Sequence, residues 1–137
     1  MKEQLLINTA LYNELLNHGK QCLPFEACGF LAGTGDIVKS LWRLQNEWQS
    51  DRRFFVSKRN VEAALQKIET AQQEVLAIYH THPSTNPVPS QYDILHHPDP
   101  NVKMVIVSYK EPTATLRGYK ISRNHYTECP IFVKSTP

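Results

Sequence analysis

The segment His80-Thr81-His82-Pro83-Ser84-Thr85-Asn86-Pro87-Val88-Pro89-Ser90-Gln91-Tyr92-Asp93 sets two imidazoles, a carboxylate and a hydroxyl within fourteen residues. Together these groups suit a catalytic zinc site, with three protein ligands and the fourth tetrahedral position left to water. The apolar run Val75-Leu76-Ala77-Ile78-Tyr79 leading into them predicts a buried strand. Side chains at i and i+2 of a strand share a face, so His80 and His82 project together. Asp93 then offers a third ligand from the next element. Ser90 reads equally as a helix N-cap, with Asp93 in the first turn where its charge favours the helix dipole. A capped turn would hold Asp93 in a fixed direction, so the two roles coexist.

The order His-x-His-Pro followed by Pro-Ser-x-x-Asp, with ten residues between His82 and Asp93, resembles the signature of the JAMM (MPN-plus) metalloproteases. Upstream, Glu26-Ala27-Cys28-Gly29-Phe30-Leu31-Ala32-Gly33 is similar to that family's Glu-x-x-Gly-hydrophobic-Leu-x-Gly segment. The motifs span Pro24 to Asp93, and the order of elements extends the likeness over nearly the whole chain. The resemblance implies one Zn2+ per chain on His80, His82 and Asp93, with Glu26 as general acid/base and Ser90 as hydrogen-bond donor to the tetrahedral oxyanion. Zinc brings the pKa of a bound water to about 7, but amide hydrolysis still needs a base to carry the water's proton to the departing nitrogen. Taken alone, a glutamate after Pro24 reads as a solvated residue in the first turn of a helix.

These groups must be positioned by elements the pattern predicts. A short strand over Leu5 to Asn8 leads into a helix from about Thr9 to Lys20, with Leu11, Leu15 and Leu16 on one face. Gly29 to Ala32 reads as a buried strand, and Gly33-Thr34-Gly35-Asp36 as a hairpin turn into Ile37 to Leu44. Ser57 is the expected N-cap of a helix carrying Val61, Ala64, Leu65 and Ile68. A short helix from Ser90 ends before Pro98. Strands follow over Val102 to Ser108 and Thr113 to Ile121, and a terminal strand near Tyr126 to Val133. Pattern alone gives an α/β chain. The resemblance implies a three-layer α/β/α sandwich around a mixed β-sheet, cytidine-deaminase-like in layout.

Length and charge bound the rest. A chain of 137 residues fits one domain, residues 1–137, with neither repeat nor linker. Its formal net charge of +2 comes from interspersed charges, with no Lys/Arg stripe carrying aromatics, so neither nucleic acid nor another partner class follows. No apolar run approaches membrane-spanning length, and Met1-Lys2-Glu3-Gln4-Leu5-Leu6-Ile7 turns polar too soon for a signal peptide. A cytoplasmic location is expected. Cys22, Cys28 and Cys129 are odd in number and lack Cys-x-x-Cys spacing, which suits free thiols.

Competing chemistries lack their residues. Nucleobase deaminases need His-x-Glu with Pro-Cys-x-x-Cys, and thermolysin-type proteases need His-Glu-x-x-His; neither pattern occurs. His96 and His97 diverge on a helix and precede Pro98, so they are not expected to ligate metal. Cys28 has no base evident beside it and reads as a buried thiol. Trp42, Trp48, Arg52, Arg53, Phe54 and Phe55 form either core and rim or a flap over substrate.

A peptide extended along an exposed strand edge is the expected substrate form. The family's larger eukaryotic members remove ubiquitin and carry a long insertion after the ligating Asp. Only a few residues separate the helix carrying Asp93 from the strand at Val102, so the chain looks like the compact stand-alone prokaryotic members. For these the resemblance implies ubiquitin-like sulfur-carrier proteins as substrates, or a cysteine joined to a carrier's C-terminal Gly-Gly. The alternative is a non-catalytic MPN-type binding module with a structural zinc; inactive relatives lose ligands or the glutamate, whereas Glu26, His80, His82, Ser90 and Asp93 are all present. Oligomeric state is not legible.

Overall fold

Asn8 is the first corner of the chain, ending strand β1 (Leu5–Asn8) and capping helix α1 (Thr9–Cys22) by accepting the Leu11 N–H on its side-chain oxygen at 2.8 Å. The structure is a computed structural model that describes residues 3–135; Met1 and Lys2 of the N-terminal run lie outside them. Strands β2 (Cys28–Thr34) and β3 (Ile37–Leu44) form the expected hairpin. Ser57 caps α2 (Lys58–Thr70), which leads to β4 (Glu74–His82). Helix α3 (Gln91–His96) and strands β5 (Lys103–Ser108), β6 (Thr115–Ser122), β7 (His125–Glu128) and β8 (Ile131–Lys134) complete the chain.

All eight strands join one mixed sheet in the order β7-β6-β5-β4-β2-β3-β1-β8. Strand alternation sorts its side chains between two helices. Leu31, Ala77, Tyr79 and Val105 pack with Leu15 of α1, whereas Phe30, Ala32 and the partly buried Ile78 pack with Ala64 and Ile68 of α2. The sheet therefore has α1 against one face and α2 against the other, the expected α/β/α layering. Strand β4 lies at its centre, antiparallel to β2 and parallel to β5.

The C-terminus departs from expectation. The single strand expected near Tyr126 to Val133 is two strands on opposite edges of the sheet, β7 beside β6 and β8 beside β1. Pro130 has no N–H to continue a ladder, so pairing breaks there. The Cys129 N–H donates to the Gly118 carbonyl of β6 at 2.8 Å, and the Pro130 carbonyl accepts from Leu5 of β1 at 2.9 Å. Two residues thus bridge the two edges, and the sheet curls until its ends approach each other. Gly118 permits this closure, because a Cβ there would lie 2.6 Å from the Cys129 carbonyl oxygen. Among the described residues, no helix is long and apolar enough to cross a membrane.

Candidate metal centre

Strand β4 continues through the sequence motif, so the pleat places Ile78, His80 and His82 on the face that α2 covers. Both imidazoles are buried. Their Nε2 atoms lie 3.2 Å apart, and Asp93 Oδ2 lies 3.1 Å from His80 Nε2 and 3.2 Å from His82 Nε2. These three residues form a buried group able to hold a metal ion.

Asp93 reaches this point because α3 begins with a capping box. Ser90 Oγ accepts the Asp93 N–H at 3.0 Å, and the Ser90 N–H donates back to Asp93 Oδ2 at 2.9 Å. The connecting loop is pinned to the sheet: Ser108 Oγ donates to the Thr85 carbonyl at 2.5 Å, and the Tyr119 hydroxyl to the Pro87 carbonyl. His82 Nδ1 bonds the Asn86 carbonyl at 2.7 Å. A carbonyl only accepts, so Nδ1 carries the proton and, in the neutral ring, Nε2 presents a lone pair to the other two ligand atoms. Burial opposes the charge on Asp93, but the His80 and His82 rings beside it and the bond from the Ser90 N–H outweigh that and hold the carboxyl well below the usual range.

The donor set fits zinc. Two imidazole nitrogens and a carboxylate oxygen are its ordinary ligands, and tetrahedral bonds of 2.0–2.1 Å separate ligand atoms by about 3.3 Å, close to the spacings found. A second observation is Glu26. Rather than a solvated helix residue, it is buried in the link between α1 and β2, and its Oε1 has no hydrogen-bond partner. Burial first, then repulsion from Asp93 and Asp51, pushes this carboxyl up to about 9. Its segment is docked onto β4, with Ala27 N–H donating to Thr81 Oγ1 at 2.8 Å and Thr81 N–H to the Ala27 carbonyl at 3.1 Å. Gly29 follows because the Tyr79 ring lies over it; a Cβ would come within 2.4 Å of the Tyr79 hydroxyl oxygen and 2.3 Å of the Trp42 carbonyl oxygen.

The aromatic cluster divides between core and surface. Trp42 packs against the Phe30 cluster beside α2. Phe54 stacks on His80 with ring centroids 5.2 Å apart, Arg53 lies 4.2 Å over the Tyr92 ring, and Trp48 stacks on Phe55, both exposed. A cavity of about 300 Å³ opens beside His80 and Asp93, with Cys28, Phe30, Phe54, Ile78 and Met104 in its lining. Burial, with smaller contributions from Glu26, Cys22 and Glu47, pushes the Cys28 thiol up to about 12, so it is no nucleophile at neutral pH. His96 stacks on Tyr92, and His97 bonds the Val102 carbonyl at 2.7 Å; neither joins the ligand group.

Sequence reasoning missed Asn46, Thr81 and Tyr119, whose side chains hold the site through bonds to backbone atoms, and the Asn86 carbonyl, which accepts from His82 Nδ1. Isolated polar residues with such partners leave no periodic signal. Strand β4 is paired on both sides, to β2 and β5, so it offers no free edge beside the ligand group.

Residues 8–121 match the family described as prokaryotic homologs of the JAB domain. The CysO-cysteine peptidase of Mycobacterium tuberculosis is 30% identical over 132 residues, which cover 94% of this chain and 90% of that protein. The solution structure of protein DSY2949 from Desulfitobacterium hafniense superimposes with a TM-score of 0.88 at 29% identity, covering 97% of this chain and 94% of its own. AF2198, a JAB1/MPN domain protein from Archaeoglobus fulgidus, shares the fold with a TM-score of 0.62 at 19% identity, over 93% of this chain and 97% of its own.

Proposed function

The chain belongs to the prokaryotic homologs of the JAB domain, and on that footing we propose that it is a zinc-dependent peptidase of the JAMM type. Its proposed substrate is the amide bond that follows the C-terminal Gly-Gly tail of a ubiquitin-like sulfur-carrier protein. The observation that carries the reading is the convergence of His80 Nε2, His82 Nε2 and Asp93 Oδ2, together with the unpartnered, buried Oε1 of Glu26. The relative that acts as a CysO-cysteine peptidase supports both the reaction class and a carrier-protein substrate.

His80, His82 and Asp93 would hold the zinc. When bound, zinc supplies Lewis-acid polarisation of water and of the scissile carbonyl, and a positive charge that lowers the pKa of Glu26. Glu26 Oε1, with no hydrogen bond to give up, takes the proton of the attacking water and delivers it to the departing nitrogen. Ser90 uses its Oγ lone pair to cap Asp93, which leaves the hydroxyl proton free for the developing oxyanion. The carrier's tail lies across the sheet face between Phe54 and α3, where glycines at its end let the backbone approach closely. A cytoplasmic location agrees with such a substrate.

A binding module with a structural zinc would need a fourth protein ligand. Among the described residues the ligand group has three members, which favours the open, catalytic kind. The test is metal analysis of purified protein paired with hydrolysis of carrier proteins bearing C-terminal extensions, with and without chelator. Stoichiometric zinc and chelator-sensitive cleavage are expected; zinc with no cleavage of any such substrate would favour the binding module.

A further inference from the structure

We propose that Asn46 is a positioning residue for this reaction, a single side chain that sets both the Glu26 segment and the aromatic loop over His80. The proposal rests on the acid/base reading of Glu26 given above. Asn46 is buried where the chain leaves β3, and every hydrogen-bonding position of its amide is used. Nδ2 donates to the Glu26 carbonyl at 3.1 Å and to the Arg53 carbonyl at 3.0 Å. Oδ1 accepts from the Trp48 N–H at 3.2 Å and the Phe55 N–H at 3.1 Å.

The two pieces of chain joined in this way carry Glu26, the acid/base of the proposed function, and Phe54, which stacks on His80. On one side stands Glu26, whose Oε1 has no partner, so its direction is inherited from its backbone. That backbone is held by Asn46, by the Glu26 N–H bond to the Ser50 carbonyl at 2.8 Å, and by the pairing of Ala27 with Thr81. On the other side stands Phe54, between two residues bonded to Asn46 and stacked on His80. A loop serving only as a connection has no need of a buried amide spanning from residue 26 to residue 55. A reacting group displaced by about 1 Å loses on the order of 10²-fold in rate, so this tie bears on turnover as well as on folding.

Asn46→Asp and Asn46→Ala separate the two arms. The aspartate keeps an acceptor for the Trp48 and Phe55 N–H groups and loses the donors to Glu26 and Arg53, whereas alanine loses all four bonds. Amide hydrogen exchange at Glu26 and Phe55 is read without substrate, and kcat and KM are read with zinc-loaded protein on a carrier bearing a C-terminal extension. In Asn46→Ala, exchange at both amides should rise and kcat fall by roughly 10- to 100-fold with zinc content unchanged. In Asn46→Asp, exchange should rise at Glu26 but not at Phe55, and kcat should fall with little change in KM. A loss of kcat under fivefold per zinc-loaded molecule in either variant, or an unchanged Glu26 amide in the one that folds, overturns the proposal. Should alanine not fold, the aspartate variant decides it. If the unsubstituted protein cleaves no carrier, it is the proposed function that fails, and exchange at Glu26 still decides whether Asn46 holds that segment.

Discussion

Glu26 and Asp93 are two buried carboxyls held in opposite protonation tendencies by one site. The His80 and His82 rings and the bond from the Ser90 N–H keep Asp93 well below the usual range, while burial and the repulsion of Asp93 itself help push Glu26 up to about 9. Such a divergence is how environments can give chemically identical groups different acid/base behaviour.

The ligand group is the first point to test. His82→Ala and Asp93→Ala should each lose stoichiometric zinc, read by elemental analysis after dialysis, because each removes one of three converging donors. Full zinc content in both variants would show that the ion is held elsewhere.

Glu26→Gln separates binding from proton transfer. The amide keeps the shape of the buried side chain but cannot take a proton from water. Zinc content and fold should survive while kcat falls by about 10²- to 10⁴-fold. Near-normal turnover would remove Glu26 from the mechanism.

Ser90 caps α3 in the structure, so its two roles need two substitutions. Ser90→Ala should cost about 1 kcal/mol of stability and lower kcat on the order of 10²-fold. Aspartate is a good cap that cannot donate when ionised, so Ser90→Asp should restore the melting temperature and leave turnover impaired. Recovery of both would make Ser90 a cap only.

Away from the site, His18 predicts a pH dependence of stability. Its Nδ1 is 2.7 Å from the Tyr79 hydroxyl, and burial, with a smaller push from Arg43, lowers its pKa to about 4. The unfolded chain takes up this proton near 6.5. Between those values the unfolded state binds the extra proton, so the His18 contribution is fully present above pH 6.5 and is lost as pH falls towards 4. His18→Gln should flatten the melting temperature over that window relative to the unsubstituted protein; an unchanged slope would assign the acid sensitivity to other groups.

The chain's local patterns carried much of the site. Alternation along β4 put His80 and His82 on one face, and Ser90 with Asp93 marked the start of α3, because both features depend only on neighbours in sequence. The α/β/α layering followed from the resemblance, and the apolar faces of α1 and α2 agree with it. Glu26 is different. Its sequence neighbourhood suited a solvated turn, and only its resemblance to a family motif singled it out.

By itself, then, the sequence determined the ligand types, their spacing and the elements that carry them. Tertiary structure decided how those elements meet: that β4 has no free edge, that Pro130 divides one expected strand between opposite sides of a curled sheet, and that Asn46 ties Glu26 to Arg53 and Phe55. Periodicity reports which way a side chain faces over a few residues. It says nothing of which distant backbone group a single amide or carboxyl will meet, because one such contact repeats nowhere in the chain and is fixed only when the layers pack.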